Sequence, residues 1–432
     1  MSTAISNTAR SRLSLHTLGV VCGLAAGAWL GGAEAPAKLV TMGFSPFLIS
    51  LGMVAGVFVA RWTLPIALQG TGNTWRDLRE KPHLIVWAIL AGMLWAVANT
   101  LTVFAIQNVG LSIAFPLWNC NSLVGLFWGW LLFNELRGAK VQQWGKVVGG
   151  AIAIAGGACL LAYATTTQSS GHAGSRTAML GVFAALGAGL LWGSMYIPYR
   201  KAYISGMNPL SFVTVFTFGE LGTVFTLAIL FDGGSQRVMA QLNQAKPALF
   251  WLFLGGFCWV IGDLFQQYAV KYIGIGRGIP LSNTNQLWGL AWGALVFGEL
   301  AGQSNEARIL TVAGSLIMIL GAVAVSLGEA SALEQASWKM AMQRECTRYG
   351  LDPAQIEASL QGEDTLSRGK SSRSPWEILV IAAAVGLFVW LGLLARRQAI
   401  AMNVGWMGLL IGASLVLLVV AGLLLWRRTR FA

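Results

Sequence analysis

The sequence predicts an all-α polytopic membrane protein. It reads as ten transmembrane helices in two inverted five-helix repeats, followed by a C-terminal two-helix hairpin. Three observations carry this reading. Of 432 residues, 56% are hydrophobic and only 11% are charged, against about 25% charged in a soluble domain. Polar surface is therefore too scarce to coat a water-exposed particle. The apolar residues also lie in runs that reach the roughly 20 residues needed to cross a bilayer core. Finally, one half of the chain repeats the other.

The apolar runs place spans at 17–33, 44–67, 83–107, 112–134, 143–164, 178–199, 210–231, 248–271, 278–298 and 308–327, and two more at 376–395 and 402–426. Residues 1–170 then form the first repeat, 171–327 the second, 328–374 a cytosolic polar tail with short helices, and 375–432 the extra hairpin. Arg10 and Arg12 before the first run, with Ala33-Glu34-Ala35 after it, imitate a cleaved signal peptide. Cleavage is not expected, because Pro36 would follow the scissile bond and the run has a counterpart in the second half. In the tail, Asp352-Pro353 supplies an N-cap with proline at the first helical position.

Residues 90–138 align without a gap on residues 254–302, at an offset of 164. Trp95 meets Trp259, Pro116 meets Pro280, Asn119 and Asn121 meet Asn283 and Asn285, and Glu135-Leu136 meets Glu299-Leu300. Apolar composition alone would not bring so many Trp, Asn, Pro and Glu into register. The first helices match more loosely, Gly27 and Gly31 with Gly189 and Gly193. Five spans per repeat, an odd number, turn the second copy upside down in the membrane. The charges agree: with an inner N-terminus, Arg76, Arg79, Lys81, Arg137, Lys140, Arg200, Lys201, Lys271 and Arg277 all fall inside. Outside loops hold fewer, namely Lys38, Arg176, Arg237, Lys246 and Arg308, and Arg396 and Arg397 run against the bias locally. This distribution absorbs the net charge of +12 without a nucleic-acid partner.

Four of the five cysteines lie inside apolar spans, Cys346 lies in the tail, and no CxxC occurs, so neither disulfide nor zinc is indicated. The three histidines lie away from span centres, which argues against a histidine metal site or acid–base catalysis. No cofactor is implied. The expected partners are a small-molecule solute, a coupling ion and membrane lipid; nothing in the sequence sets an oligomeric state.

Inverted repeats are a transporter device, since their pseudo-twofold axis lets the two halves exchange conformations around a central site. The pattern resembles the drug/metabolite transporter superfamily, and within it the bacterial glucose/ribose porter and rhamnose–proton symporter group. The residues that carry the resemblance are Leu191-Trp192-Gly193-Ser194 with Pro198, Gly256-Phe257-Cys258-Trp259, Ile279-Pro280-Leu281-Ser282 and Phe297-Gly298-Glu299-Leu300. It covers roughly residues 15–327; the tail and final hairpin depart from a family that usually stops at ten spans. The resemblance implies a multi-pass carrier of a bacterial inner membrane that imports a monosaccharide by alternating access, with proton or sodium symport.

Polar groups inside membrane helices are costly and usually face a cavity. Asp263, mid-span and four residues after Trp259, is the first candidate for coupling; its repeat mate is Asn99, which cannot ionise. Glu220 is the second and Glu34, at the outer end of the first span, the third. Arg61 is expected to snorkel, and Glu135 and Glu299 to anchor span ends at headgroups and water. For the solute, the candidates are Asn99, Asn119, Asn121, Asn283, Asn285 and Gln286, whose amides donate and accept hydrogen bonds, with Trp95 and Trp259 to stack on a sugar ring. Residues two apart do not share a helix face, so only one Asn of each pair is expected to reach the cavity. Gly125-x-x-x-Gly129 and Gly289-x-x-x-Gly293 read as close-packing seams.

Other functions meet parts of the pattern. An exporter of drugs or metabolites would share the fold, and a cation exporter would want the carboxylate of Glu34. An intramembrane enzyme lacks support: there is no HExxH, no GxSxG and no His beside an intramembrane acid. A non-transporting scaffold has only the extra hairpin in its favour.

Overall fold

The computed structural model describes residues 14–33, 35–36, 39–40, 43–109, 114, 117–166, 175–298, 304–361, 374–397 and 400–431. Among them are helices and connecting turns and no strand. The first half contains α1 (Leu15–Gly32), α2 (Pro46–Leu68), the short amphipathic α3 (Thr71–Glu80), α4 (His83–Val109), α5 (Asn121–Phe133) and α6, which runs from Val141–Trp144 through a π-helical turn at Gly145–Gly149 into Gly150–Thr166. The second half contains α7 (Ser175–Ile204), α8 (Pro209–Phe231), the short α9 (Ser235–Gln244), α10 (Lys246–Ile273), α11 (Ile275–Ser282), α12 (Asn285–Ala291, continued by a π-helical turn at Trp292–Val296) and α13 (Asn305–Ser326). The tail adds α14 (Ala332–Tyr349) and α15 (Pro353–Leu360), and the hairpin is α16 (Pro375–Leu394) and α17 (Val404–Thr429).

Local signals start these helices. Ser14, Ser45, Asn208, Ser304, Ser331, Asp352 and Asn403 each accept a backbone N–H of the first turn from the N-cap position. Pro46, Pro209, Pro353 and Pro375 stand in the first turn, where the missing N–H is no loss. Among the described residues, α1, α2, α4, α7, α8, α10, α13, α16 and α17 are long and apolar enough to cross a membrane. Their outer surfaces stay apolar: Leu393 is 82% exposed, Val86 69% and Ile309 68%. Such a coat suits lipid, because helices satisfy their own backbone polar groups.

The predicted ninth span departs from a single helix. It is α11 and α12, broken by a turn at Asn283–Thr284, three residues after Pro280. Proline removes one N–H and crowds the turn before it, whereas the break falls after it, where the Asn283 N–H still reaches the Ile279 carbonyl at 3.0 Å. The matching span of the first half is represented by α5, which starts at Asn121; Gly110 and Pro116 lie outside the described residues.

Matched residues of the two halves make matched contacts. α7 packs along α4 and α1 along α10; α8 packs on α4 and α2 on α10; α7 meets α5 and α1 meets α12, while α6 lies against α13. At the α2–α10 crossing, a Cβ on Gly56 would stand 2.0 Å from the Phe253 carbonyl, and one on Gly256 2.0 Å from that of Met53. At the α4–α8 crossing, the same holds for Gly219 against Ile89 (2.1 Å) and Gly92 against Phe216 (2.2 Å). Only glycine permits backbones this close. Gly31 meets Asn285 as Gly193 meets Asn121, as the loose alignment of the first helices predicts. Of the two predicted glycine seams, Gly125 packs tightly on Ile279, whereas Gly289 faces open space.

The hairpin is tied into this bundle. α16 rests on α2 and α10, and α17 on α1 and the end of α12. The buried Glu377 carboxylate accepts the Thr71 N–H at 2.7 Å. The Phe431 carbonyl accepts from Tyr268 (2.7 Å), Gln69 (2.8 Å) and Asn208 (2.8 Å). The sequence predicts repeats that close without this segment, so that truncation near residue 330 leaves them intact. The structure instead makes the segment a partner of the buried Thr71 of α3 and Tyr268 of α10, and of the half-buried cap residues Gln69 and Asn208.

Candidate functional site

Two adjoining features occupy the middle of the bundle: a buried charged layer and an uncharged cleft. The layer is built on α2, α8 and α10, whose glycine crossings bring them close. Arg61, Glu220 and Asp263 are each fully buried. Arg61 Nη2 donates to Asp263 Oδ2 at 2.7 Å and stands 3.6 Å from Glu220 Oε1. Gln267 Nε2 donates to the same Asp263 oxygen at 2.7 Å, and the Tyr203 hydroxyl donates to Gln267 Oε1. The guanidinium lies 3.9 Å above the Phe216 ring and 5.7 Å from Trp259, a cation–π arrangement in a desolvated place. Arg61 therefore does not snorkel as the sequence predicts. Two carboxylates and a ring inside the protein hold it better than a distant headgroup would.

The cleft lies on the other side of Tyr196 and Trp259. Its wall is Leu30, Asn99, Thr102, Trp118, Asn119, Asn121, Trp192, Tyr196, Trp259, Gln266, Asn283 and Asn285, around a cavity of about 50 Å³ that opens at its mouth. None of these side chains is charged. Asn119 Nδ2, Asn285 Oδ1 and Trp192 Nε1 are buried without a hydrogen-bond partner among the described residues. Buried polar groups are normally paired, so these three stand out along the wall. Trp259 joins the two features: it lines the cleft and stacks edge-on with Trp192, 5.7 Å between centroids.

Of the predicted solute residues, Asn99, Asn119, Asn121, Trp259, Asn283 and Asn285 line the cleft. Trp95 stands one ring behind, 4.9 Å from Trp259, and Gln286 is buried outside the wall. Both members of each Asn pair reach the cleft, against the expectation of one. The reason is the chain break: Asn119 and Asn283 sit in turns, where the face rule for a continuous helix does not hold. Asn283 also bridges the halves, donating to Asn121 Oδ1 at 2.7 Å and to the Ser122 hydroxyl. The predicted coupling residues Asp263 and Glu220 meet on Arg61; Glu34 lies outside the described residues, as does Glu299. The Trp192-Gly193-Ser194 motif places Ser194 to accept from Trp128 Nε1 at 3.0 Å.

Sequence reasoning missed a second polar cluster where the tail meets the helix ends. Glu135 is buried and accepts the N–H groups of Ile275 (2.8 Å) and Gly276 (2.7 Å) at the start of α11, rather than reaching water. A carboxylate at a helix N-terminus suits the partial positive charge there. Arg277 is 1% exposed, and Glu334 of α14 forks it at 2.7 and 3.0 Å. Arg200 lies 4.4 Å over the Trp338 ring, Lys201 pairs with Glu345, and Tyr349 stacks on His83 at 3.6 Å. Arg200, Lys271 and Arg277, which the charge pattern assigns to inner segments, are thus buried. Glu135 was signalled by its recurrence as Phe-x-Glu-Leu; the tail partners had no such signal.

The fold defines a multi-pass helical membrane protein with an uncharged internal cleft. Residues 179–327, in the second half of the chain, match the EamA-like transporter family. A Lactobacillus johnsonii protein named "Putative sugar uptake protein" is 38% identical over 109 residues, 24% of this chain and 36% of that one. Streptococcus pyogenes proteins of serotypes M1 and M3 that carry the same description are 36% identical over 124 residues, 28% of this chain and 38% of theirs. The matches thus span little more than a third of these bacterial relatives. A protein of solved structure aligns with 71% of this chain at a TM-score of 0.45 and 16% identity, too slight a likeness to bear on the fold.

Proposed function

We propose that the protein is a secondary carrier that imports a small neutral solute, a monosaccharide, by alternating access with proton (or sodium) symport. The observation that carries this reading is the uncharged wall of amides and indoles around the cleft, with unpaired donors and acceptors on Asn119, Trp192 and Asn285. Hydroxyl groups both donate and accept, and a sugar ring offers an apolar face to Trp259. A charged ligand would find no counter-charge in this wall. The names of the relatives support the sugar assignment.

The matched packing of α1 on α10 and α7 on α4 supports two five-helix repeats related by a pseudo-twofold axis in the membrane plane. Residues 1–170 and 171–327 are the repeats. Single cysteines tested with an impermeant reagent check the orientation. Positions near Arg79 and Arg137 should be protected from outside and positions near His172 labelled; the reverse pattern overturns the inverted arrangement.

Transport itself is tested in proteoliposomes with an imposed pH gradient and a panel of labelled monosaccharides, nucleosides and cationic drugs. One or more monosaccharides should accumulate, and Asn285→Ala and Trp259→Ala should raise the half-saturating concentration. Each lost hydrogen bond or stacking contact on the order of 1 kcal/mol corresponds to about fivefold. Uptake of none of the sugars, with movement of a cationic drug, overturns the assignment.

A further inference from the structure

We propose that Glu220 is the side chain that carries the exchangeable proton, and that Arg61 is the cation that switches between Asp263 and Glu220 as that proton comes and goes. This rests on the symport reading above and assigns its ion site. The sequence ranks Asp263 first for this role; the geometry reverses the order.

Arg61, Glu220 and Asp263 are each fully buried, so one guanidinium faces two carboxyl groups away from bulk solvent. With both carboxyls ionised, the layer would hold one uncompensated negative charge, which desolvation makes strongly unfavourable. One proton restores balance, and the two carboxyls do not compete for it equally. Asp263 Oδ2 receives two donors, Arg61 Nη2 and Gln267 Nε2, each at 2.7 Å. These hydrogen bonds favour the ionised form. Glu220 receives none: neither of its oxygens has a hydrogen-bond partner among the described residues, and its nearest cation is 3.6 Å away.

Among the described residues, the surroundings offer no further cation to balance the charge. On α2, Arg61 is the cation, and Asp263 faces it from α10. From α7, the buried Tyr196, Tyr199 and Tyr203 line the same region, and a phenol carries no charge at neutral pH. α4 packs on the backbone of Glu220 through Gly92 and has no titratable side chain after His83 at its start. The same Arg61 nitrogen is nearest to both carboxyls, so a swing of about 1 Å, the difference between a contact and a hydrogen bond, transfers it. When Glu220 loses its proton, it competes for Arg61; Asp263 then keeps only Gln267. That links proton movement to Trp259, which touches both the guanidinium and the cleft.

Infrared spectroscopy of the purified, reconstituted protein tests the assignment without any transported solute. The spectrum at neutral pH should contain a protonated-carboxyl band that shifts with isotopically labelled glutamate, not aspartate, and is lost in Glu220→Gln. The same band should vanish in Asp263→Asn, because Glu220 must then ionise to hold Arg61. A band that shifts with labelled aspartate, or a glutamate band that survives Glu220→Gln, overturns the proposal. So does the absence of any such band. In proteoliposomes, Glu220→Gln is isosteric with the neutral form and should lose pH-driven accumulation more than exchange at equal pH. If no solute moves in the wild type, the symport reading fails while the infrared result still decides where the proton sits.

Discussion

Asp263→Ala is expected to destabilise the protein by about 3 kcal/mol, the lower end of the cost of stranding one partner of a buried ion pair. The substitution removes the acceptor of both Arg61 and Gln267. Glu220, 3.6 Å from the guanidinium, can ionise and take over part of the charge, which keeps the loss from the upper end of the range. Asp263→Asn retains a side-chain oxygen for Gln267 and should lose less. Arg61→Met in the Asp263→Ala background should recover most of the stability, because it removes the stranded charge and fills the space against Phe216. Unfolding in mild detergent, followed by tryptophan fluorescence, reads all four proteins. An Asp263→Ala variant as stable as the wild type would mean that Glu220 already neutralises Arg61.

The sequence was legible where the physical signal is local or recurs. Caps and first-turn prolines mark helix starts, as at Ser45-Pro46 and Asp352-Pro353, because those groups act on their own first turn. The repeat at an offset of 164 exposed Asn119, Asn121, Asn283 and Asn285, which line the cleft as amides in an apolar setting must. What stayed hidden depends on contacts between distant segments. Arg61 and Asp263 are 202 residues apart, and nothing near Arg61 in sequence says that a carboxylate awaits it rather than a headgroup. The two-apart rule for the asparagines failed because it assumes an unbroken helix, and the break follows Pro280. Pairing across the tail was least legible of all: Glu334 looks like any charge in a polar segment until Arg277 is found beneath it.

Glu334→Ala is expected to cost about 3–5 kcal/mol, because it leaves the guanidinium of Arg277 buried without its carboxylate. Arg277 keeps carbonyl acceptors at Gly328 and Ile273, but these carry no full charge to offset its own. Truncation after residue 330 should be worse still. It removes Glu334 together with the hydrogen-bond partners that Glu377 and Phe431 supply to Thr71, Gln69, Asn208 and Tyr268. The sequence by itself predicts the opposite, that repeats closing on themselves would tolerate this loss. Size-exclusion profiles and thermal unfolding of the wild type, Glu334→Ala and the truncated chain distinguish the two views. The paired change Arg277→Met with Glu334→Met should stay folded, since replacing both partners of a buried ion pair by apolar groups of similar volume is often neutral or stabilising. It should thereby separate charge balance from mere loss of contact. A truncated chain with the melting curve of the wild type would make α14 to α17 peripheral and return the ten-helix unit to independence.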